Sequence, residues 1–377
     1  MNNFLKALCG YRSFKNSNDS DKELVFYSES GQDWHHFRPL IEGMLDNYDH
    51  KIAYVSSDPN DPGLRLKDNK LTTYFIGSGV FRILFFQYLD TALCVLTMMD
   101  LDNFELKRSI NNVHYVYLFH SLTSTHMVDN AESFDNYDSL LCAGPHQIKE
   151  IRARENHYKL PAKNLIAYGY HRLEELIELQ YLKETPSREI LIAPTWGENS
   201  ILNTVGIELC EIVLDAGYIL TVRPHYETSK RTPEVIEQLK NQFKEHENFQ
   251  LVLEMGENDS LFTSDLLISD WSGTAIEYAL GLGKPVAFID LLPRVRNDDW
   301  ERLNIEPLES SIRTKIGKII SPQDINSLPR VIEGMIDNQE NFSQEIGQLR
   351  EKYVYNLGQT RTIGPREIKQ LLNQINH

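Results

Sequence analysis

The sequence predicts an α/β protein of two doubly wound, Rossmann-type domains facing each other across a cleft. Three observations lead there. Short apolar runs of strand length alternate with segments of helical spacing, the pattern of parallel sheets built from βαβ units. At 377 residues the chain exceeds what one hydrophobic core usually serves, so two domains are expected. The clearest unit, residues 262–290 (FTSDLLISDWSGTAIEYALGLGKPVAFID), reads as strand, small polar turn, helix, Gly-Lys-Pro turn and strand.

In that unit the run 265–269 has the length of one buried parallel strand. Polarity changes at Asp270-Trp271-Ser272-Gly273-Thr274, after which Ala275, Ile276, Tyr278, Ala279, Leu280 and Leu282 recur with helical spacing. Ser272 or Thr274 can cap the helix, and Gly273 lets the backbone come close to a ligand. The remaining N–H groups and the positive end of the helix dipole then face the crevice where open α/β sheets bind ligands and where a phosphate is stabilised. The same pattern also fits an ordinary capped helix.

Taken in order, strands are expected at 24–27, 51–55 and 73–76, with a helix at 34–46. The most apolar stretch, 80–99, is interrupted by Arg82, Gln87 and Asp90 and so reads as a buried helix and a strand at 92–97, with no bilayer span. The β-rich run 113–119 delivers His120-Ser121-Leu122-Thr123-Ser124-Thr125 at its carboxyl end. Strands at 139–143 and 165–168 complete a first domain, residues 1–172.

A helix at 172–183 and a linker at 184–187 lead into the second domain, residues 173–360. Its strands are expected at 189–193, 218–222 and 250–253, followed by the two of the 262–290 unit. After Ile289 the chain reads as helical and charged, without a strand pattern. Residues 361–377 hold a terminal helix expected to pack back on the first domain.

Composition narrows the function. With 41% hydrophobic and 24% charged residues the chain is an ordered globular protein. Its 38 basic and 54 acidic residues, net charge -16, argue against a nucleic-acid partner, while a local basic cluster can still serve an anionic substrate. Cys9, Cys94, Cys142 and Cys210 are scattered, which suits reduced thiols in a cytoplasmic protein and speaks against zinc. The first 15 residues carry Lys6, Arg12 and Lys15 on a mildly amphipathic segment; they read as a docked or frayed end, or as a peripheral contact with a membrane surface. No P-loop, nucleophile elbow or GxGxxG is present, and nothing calls for a metal or a cofactor.

Polar residues gather where the strands end. In the second domain these are Thr195, then Arg223 and His225, then Asp259-Ser260, then Asp270 to Thr274. Arg223 and His225 flank a proline, so an extended backbone can turn both to one face. The arginine is a forked phosphate donor, and His225 can donate a hydrogen bond or, when protonated, a charge. With Ser272, Gly273 and Thr274 they can hold a pyrophosphate and stabilise a leaving phosphate. Glu277, one turn along the helix, suits ribose hydroxyls, or is simply a solvated acid near a helix N-terminus. In the first domain His120 is the candidate base, since imidazole titrates near working pH; a structural, hydrogen-bonded histidine would look the same.

These residues form a series that resembles the CDP-glycerol glycerophosphotransferase family of teichoic-acid polymerase-like enzymes. The family pattern runs APTWR, R-x-HP, DxLITDYSS with an acidic residue on the helix, and a KP turn. Here it stands as Ala193-Pro194-Thr195-Trp196, Arg223-Pro224-His225, Asp265 to Thr274 and Gly283-Lys284-Pro285. Tyr168 to Glu174 is similar to the GxPRxD segment, and Phe119-His120-Ser121 sits where the family has a WHG-like motif. The resemblance covers about residues 115–289 and departs at Gly197, which replaces the arginine of APTWR, and at Ser121, His171, Trp271, Gly273 and the order of Pro224 and His225.

The resemblance implies a GT-B fold with an acceptor lobe and a CDP-donor lobe, and transfer of a polyol phosphate from a CDP-linked donor to a hydroxyl of a surface-polysaccharide or teichoic-acid-like acceptor. No cofactor beyond that donor is implied. His120 and His225 would be catalytic; Thr195, Arg223, Asp270, Ser272, Gly273, Thr274 and Glu277 would bind the donor; Ser121 and Ser124 would lie on the acceptor side. The departures leave the donor open, to a UDP- or GDP-sugar used by a glycosyltransferase, or to none in an inactive binding subunit. A lipid-linked glycan acceptor would bring peripheral contact with the inner face of the cytoplasmic membrane.

Overall fold

The computed structural model describes residues 2–179, 187–253 and 259–375. They form two compact units: Met1–Ser121 with Asp129–Arg172 and Val354–His377, and Leu122–Val128 with Leu173–Tyr353. The stretch just after His120 therefore belongs to the second unit, and the chain returns to the first at its end. Most of the expected 184–187 linker, and residues 254–258, lie outside the described residues.

The first unit holds one parallel sheet of β1 (Leu24–Ser28), β2 (Ile52–Ser56), β3 (Leu71–Phe75), β4 (Leu93–Leu96), β5 (His114–Leu118), β6 (Ser139–Cys142) and β7 (Asn164–Ala167). Its order is β3-β2-β1-β4-β5-β6-β7. β1, β2 and β4 are buried along their whole length, as strands covered on both faces must be, which is why they read as unbroken apolar runs. Helices α1 (Asn3–Lys15), α2 (Trp34–Asn47), α3 (Val80–Tyr88) and α4 (Pro145–Tyr158) connect and cover them; α5 (His171–Leu179) leads out. The helix expected to be buried at the start of the 80–99 stretch is α3, and it is only half so: Phe81, Phe85 and Phe86 are buried, while Val80 and Tyr88 are exposed.

The second unit has a parallel sheet of β8 (Glu189–Ile192), β9 (Ile219–Val222), β10 (Phe249–Leu251), β11 (Leu266–Ser269), β12 (Val286–Ile289) and β13 (Gly317–Ile320), in the order β10-β9-β8-β11-β12-β13. Helices α6 (Ile201–Thr204), α7 (Gly206–Asp215), α8 (Tyr226–Arg231), α9 (Pro233–Phe243), α10 (Asp259–Thr263), α11 (Gly273–Leu282), α12 (Leu308–Ile316), α13 (Leu328–Ile336) and α14 (Gln339–Tyr353) surround it. The last helix, α15 (Thr360–Ile375), packs on α2 in the first unit, where Arg361 pairs with Glu42 at 3.2 Å and Asp46 at 2.7 Å.

β13 corrects the expectation of no strand after Ile289. It is an edge strand whose middle residues, Lys318 and Ile319, are exposed, so it lacks the apolar run that marks the central strands. Gly317 opens it because a Cβ there would lie 1.7 Å from the Val286 carbonyl oxygen.

Candidate active site

In each parallel sheet the order of strands reverses once, between β1 and β4 in the first unit and between β8 and β11 in the second. A crevice opens outside the carboxyl ends of the strands at such a point, because the connections on either side run to opposite faces. The donor-side candidates gather at the second reversal. Thr195 follows β8, Asp270 to Thr274 follow β11, and Arg223 and His225 follow β9, the next strand over.

α11 begins as its sequence suggests. Ser272 is its N-cap, with Oγ accepting the Thr274 N–H at 3.3 Å, and Gly273 and Thr274 are half-buried at the first turn. Glu277 is half-buried one turn on. Gly283, at φ 66°, ends the helix in the left-handed region and lets the chain turn into β12.

Asp270 ties two backbone segments together. It is 1% exposed, and its two carboxylate oxygens accept the Thr195 N–H at 2.7 Å and the Ile201 N–H at 3.0 Å. Burial raises its pKa above the ordinary carboxylate value, and these backbone donors oppose the rise by favouring the charged form. It fixes the Thr195 loop against β11, so any part it has in donor binding would run through the placing of Thr195. Ser269 adds a second tie, from Oγ to the Ala193 carbonyl at 2.8 Å.

His225 caps α8, where its Nδ1 accepts the Glu227 N–H at 3.1 Å. That bond puts the proton of the neutral ring on Nε2, which becomes the donor. Desolvation and, second, the Arg294 cation hold its pKa below the ordinary value although its outer edge is exposed. It therefore offers a neutral N–H at neutral pH, in place of the positive charge considered from sequence. Trp196 lies beside it, ring centroids 6.2 Å apart, with the guanidinium of Arg294 3.9 Å and that of Arg231 4.8 Å from the Trp196 ring. Thr195, Trp196, Gly197 and Arg294 line a cavity of about 310 Å³. Gly197 stands there at φ 108°, with open space where a Cβ would be.

Sequence reasoning missed two cations of this unit. Arg294 lies in an irregular loop after β12, and no spacing marked it. Arg313 on α12 is 4% exposed, 4.2 Å from the Trp271 ring, and donates to Asp290 at 3.1 Å. Burial lowers its pKa and Asp290 opposes the drop. Trp271 itself donates from Nε1 to the Leu291 carbonyl at 2.7 Å, so the strand ends of β11 and β12 share one scaffold.

In the first unit His120 follows β5 directly. Its Nδ1 is 3.3 Å from the Tyr117 hydroxyl, its carbonyl accepts the Tyr170 hydroxyl at 3.1 Å, and its ring lies 5.6 Å from that of His36. Burial lowers its pKa, against the nearby Asp33 charge and a hydrogen bond to the Leu118 backbone, so the ring is neutral at neutral pH. A neutral imidazole carries one ring nitrogen with a free lone pair, which is what a base needs. Asp33 and His36 are further residues that the sequence reading left out, although a His-His pair just past the first strand was the available signal.

The two acceptor-side serines separate. Ser121 is half-buried beside His120 and its carbonyl accepts Gln147 Nε2 at 2.8 Å. Ser124 is fully buried within the second unit, where its N–H donates to Glu309 at 2.9 Å. A substrate hydroxyl does not reach it, which removes it from the acceptor side. Asp259 offers no side-chain placement among the described residues, and Ser260 is buried.

Among the described residues no group of three or more His, Cys, Asp or Glu converges as a metal site, and no helix is long and apolar enough to cross a membrane.

Residues 109–291 match the family model of the CDP-Glycerol:Poly(glycerophosphate) glycerophosphotransferases. No curated protein matches the chain. Among solved structures, the UDP-GlcNAc 2-epimerase of Methanocaldococcus jannaschii, in complex with UDP-GlcNAc and UDP, is 12% identical, with 93% of this chain and 100% of that one covered at a TM-score of 0.59. The S. aureus MnaA-UDP structure is 12% identical over 94% and 98% of the two chains, with a TM-score of 0.57. A glycosyltransferase from Rickettsia africae is 13% identical over 94% and 99%, with a TM-score of 0.51. At such identities these likenesses speak for the fold, and they bear out the expected class: two parallel-sheet α/β domains of GT-B type. The family resemblance is borne out over a segment that contains His120, Arg223, His225 and Ser272 to Thr274.

Proposed function

We propose that the protein, whose residues 109–291 match the glycerophosphotransferase family model, transfers a polyol phosphate, glycerol phosphate or a close relative, from a CDP-linked donor to a hydroxyl of a surface-polysaccharide or teichoic-acid-like acceptor, releasing CMP. The observation that carries the reading is the gathering of Thr195, Arg223, His225 and the capped start of α11 at the one reversal point of the second sheet, inside the matched segment.

In this reading the second unit holds the diphosphate. Arg223 supplies charge, His225 donates from Nε2, and the first turn of α11 adds backbone N–H groups and the helix dipole. The acceptor hydroxyl loses its proton to His120, its oxygen bonds to the β-phosphorus, and the bond from that phosphorus to the bridging oxygen breaks. CMP leaves with the electron pair, and the groups that held the diphosphate stabilise its charge. The chemistry needs no cofactor beyond the donor. Glu277 is available to the ribose. For a lipid-linked acceptor, exposed Phe4 and Leu5 beside the basic residues of α1 would supply peripheral membrane contact.

A nucleotide-sugar glycosyltransferase is the competing reading, favoured by one departure: Gly197 stands where the family pattern has an arginine. The nucleotide product separates the two. Incubated with each donor and an extract of surface glycan, the protein should release CMP from CDP-glycerol or CDP-ribitol; release of UDP or GDP from a sugar donor, with no CMP, would replace the proposal.

A further inference from the structure

Asp33 and His36 lie ahead of residue 109, where the family match begins, and yet they border His120. They stand at the entry and first turn of α2, after β1. β1 and β5 are the two neighbours of β4, so the loops that follow them rise on either side of one strand at the first sheet's reversal point. Fold topology therefore brings together residues more than eighty positions apart.

The His36 ring lies 5.6 Å from that of His120 at an interplanar angle of 54°, and also stacks on Tyr170 at 6.2 Å and 14°. Tyr170 in turn donates to the His120 carbonyl. Asp33 is fixed by its own contacts: Oδ2 accepts the N–H of Glu29 at 2.8 Å and of Ser30 at 3.1 Å. It stands at the N-cap of α2, one turn ahead of the His36 ring that packs on His120, and its charge there favours the protonated form of His120. We propose that Asp33 and His36 are positioning residues of the base, His36 as an uncharged wall that holds the His120 ring and Asp33 as a fixed carboxylate that stabilises the imidazolium formed when His120 takes the acceptor proton. This rests on His120 being the base.

The surroundings fit that division. His36 is half-buried, and its desolvation, with the charges of His120, His35, Arg172 and His171, disfavours a charge on it. His120 is faced by Asp33, the Leu118 backbone and Tyr117, and Asp33 is the largest influence that favours its charged form. The transfer itself needs no further reactant: one proton passes from the acceptor oxygen to His120.

The test is the pH dependence of kcat/KM for CDP-glycerol turnover together with NMR titration of the His120 imidazole in the full chain. Asp33→Asn keeps an acceptor for the Glu29 and Ser30 N–H groups and removes the charge, so the acid limb and the imidazole titration should both move to lower pH by about half a unit to one unit. His36→Ala should lower kcat about tenfold with donor KM unchanged, and His36→Phe, which keeps a ring against Tyr170, should recover most of it. The His36 pair reads the proposal independently of how well Asp33→Asn folds. Turnover retained by His120→Ala would remove the base assignment and this inference with it. An inactive His120→Ala, combined with an unmoved limb and titration in folded Asp33→Asn and full activity in His36→Ala, would overturn the inference alone.

Discussion

The carboxylate of Asp270 accepts the backbone N–H of Thr195 at 2.7 Å, tying the loop after β8 to the end of β11. The same side chain takes the Ile201 N–H at 3.0 Å, so two loop amides depend on one buried acid. An asparagine has one acceptor and would set its NH2 against the other amide. Asp270→Asn should therefore cost about 1–3 kcal/mol of stability, read as a lowered urea midpoint, and should also weaken donor binding by loosening Thr195. Wild-type stability in that variant would show that the tie does not matter.

His120 is assigned the proton transfer, and the diphosphate contacts belong to other residues. His120→Ala should lower turnover by about 10²- to 10⁴-fold while calorimetric binding of CDP changes little. Loss of CDP binding in step with turnover would make His120 a binding residue.

Acid should destabilise the fold through His36 and His120. Both have folded pKa values below the ordinary one, so the unfolded chain takes up protons first as pH falls. The stability they contribute as neutral groups is fully present above about pH 6.5 and is lost as the pH drops from there towards the folded values. Thermal midpoints should decline from about pH 7 to about pH 5, and less steeply in His36→Phe. A midpoint flat over that range, or equally steep in the variant, would contradict this.

Much of this was legible in the sequence, for a physical reason. Strands buried on both faces must be apolar throughout, and β1, β2, β4 and β11 stood out for that reason; twelve strands were expected, and the thirteenth, β13, was not, because it is four residues long, opens on glycine and exposes Lys318 and Ile319. Ser272 was legible as a cap because local chemistry alone decides it. Asp270 looked the same as a ligand contact, and only the fold reveals that its partners are Thr195 and Ile201. His36 and Asp33 escaped because their relation to His120 is made by strand order, which no local pattern encodes. Ser124 moved to the second unit for a similar reason: its neighbour Glu309 is 185 residues away.

The glycine at the head of β13 gives a direct check on that strand. Gly317→Ala would drive a Cβ into the Val286 carbonyl, so β12 and β13 must part or shift. The variant should lose about 1–3 kcal/mol of stability, with faster amide exchange along β13. Unchanged exchange would place the strand elsewhere.

The central claim is that the second unit binds a cytidine-linked donor through Arg223, His225 and the start of α11. Isothermal calorimetry of the intact protein with CDP-glycerol, and in parallel with UDP-GlcNAc, tests it most directly. The account predicts saturable binding of CDP-glycerol, weakened about tenfold or more by Arg223→Ala, and no binding of UDP-GlcNAc. Saturable binding of UDP-GlcNAc with none of CDP-glycerol would contradict it.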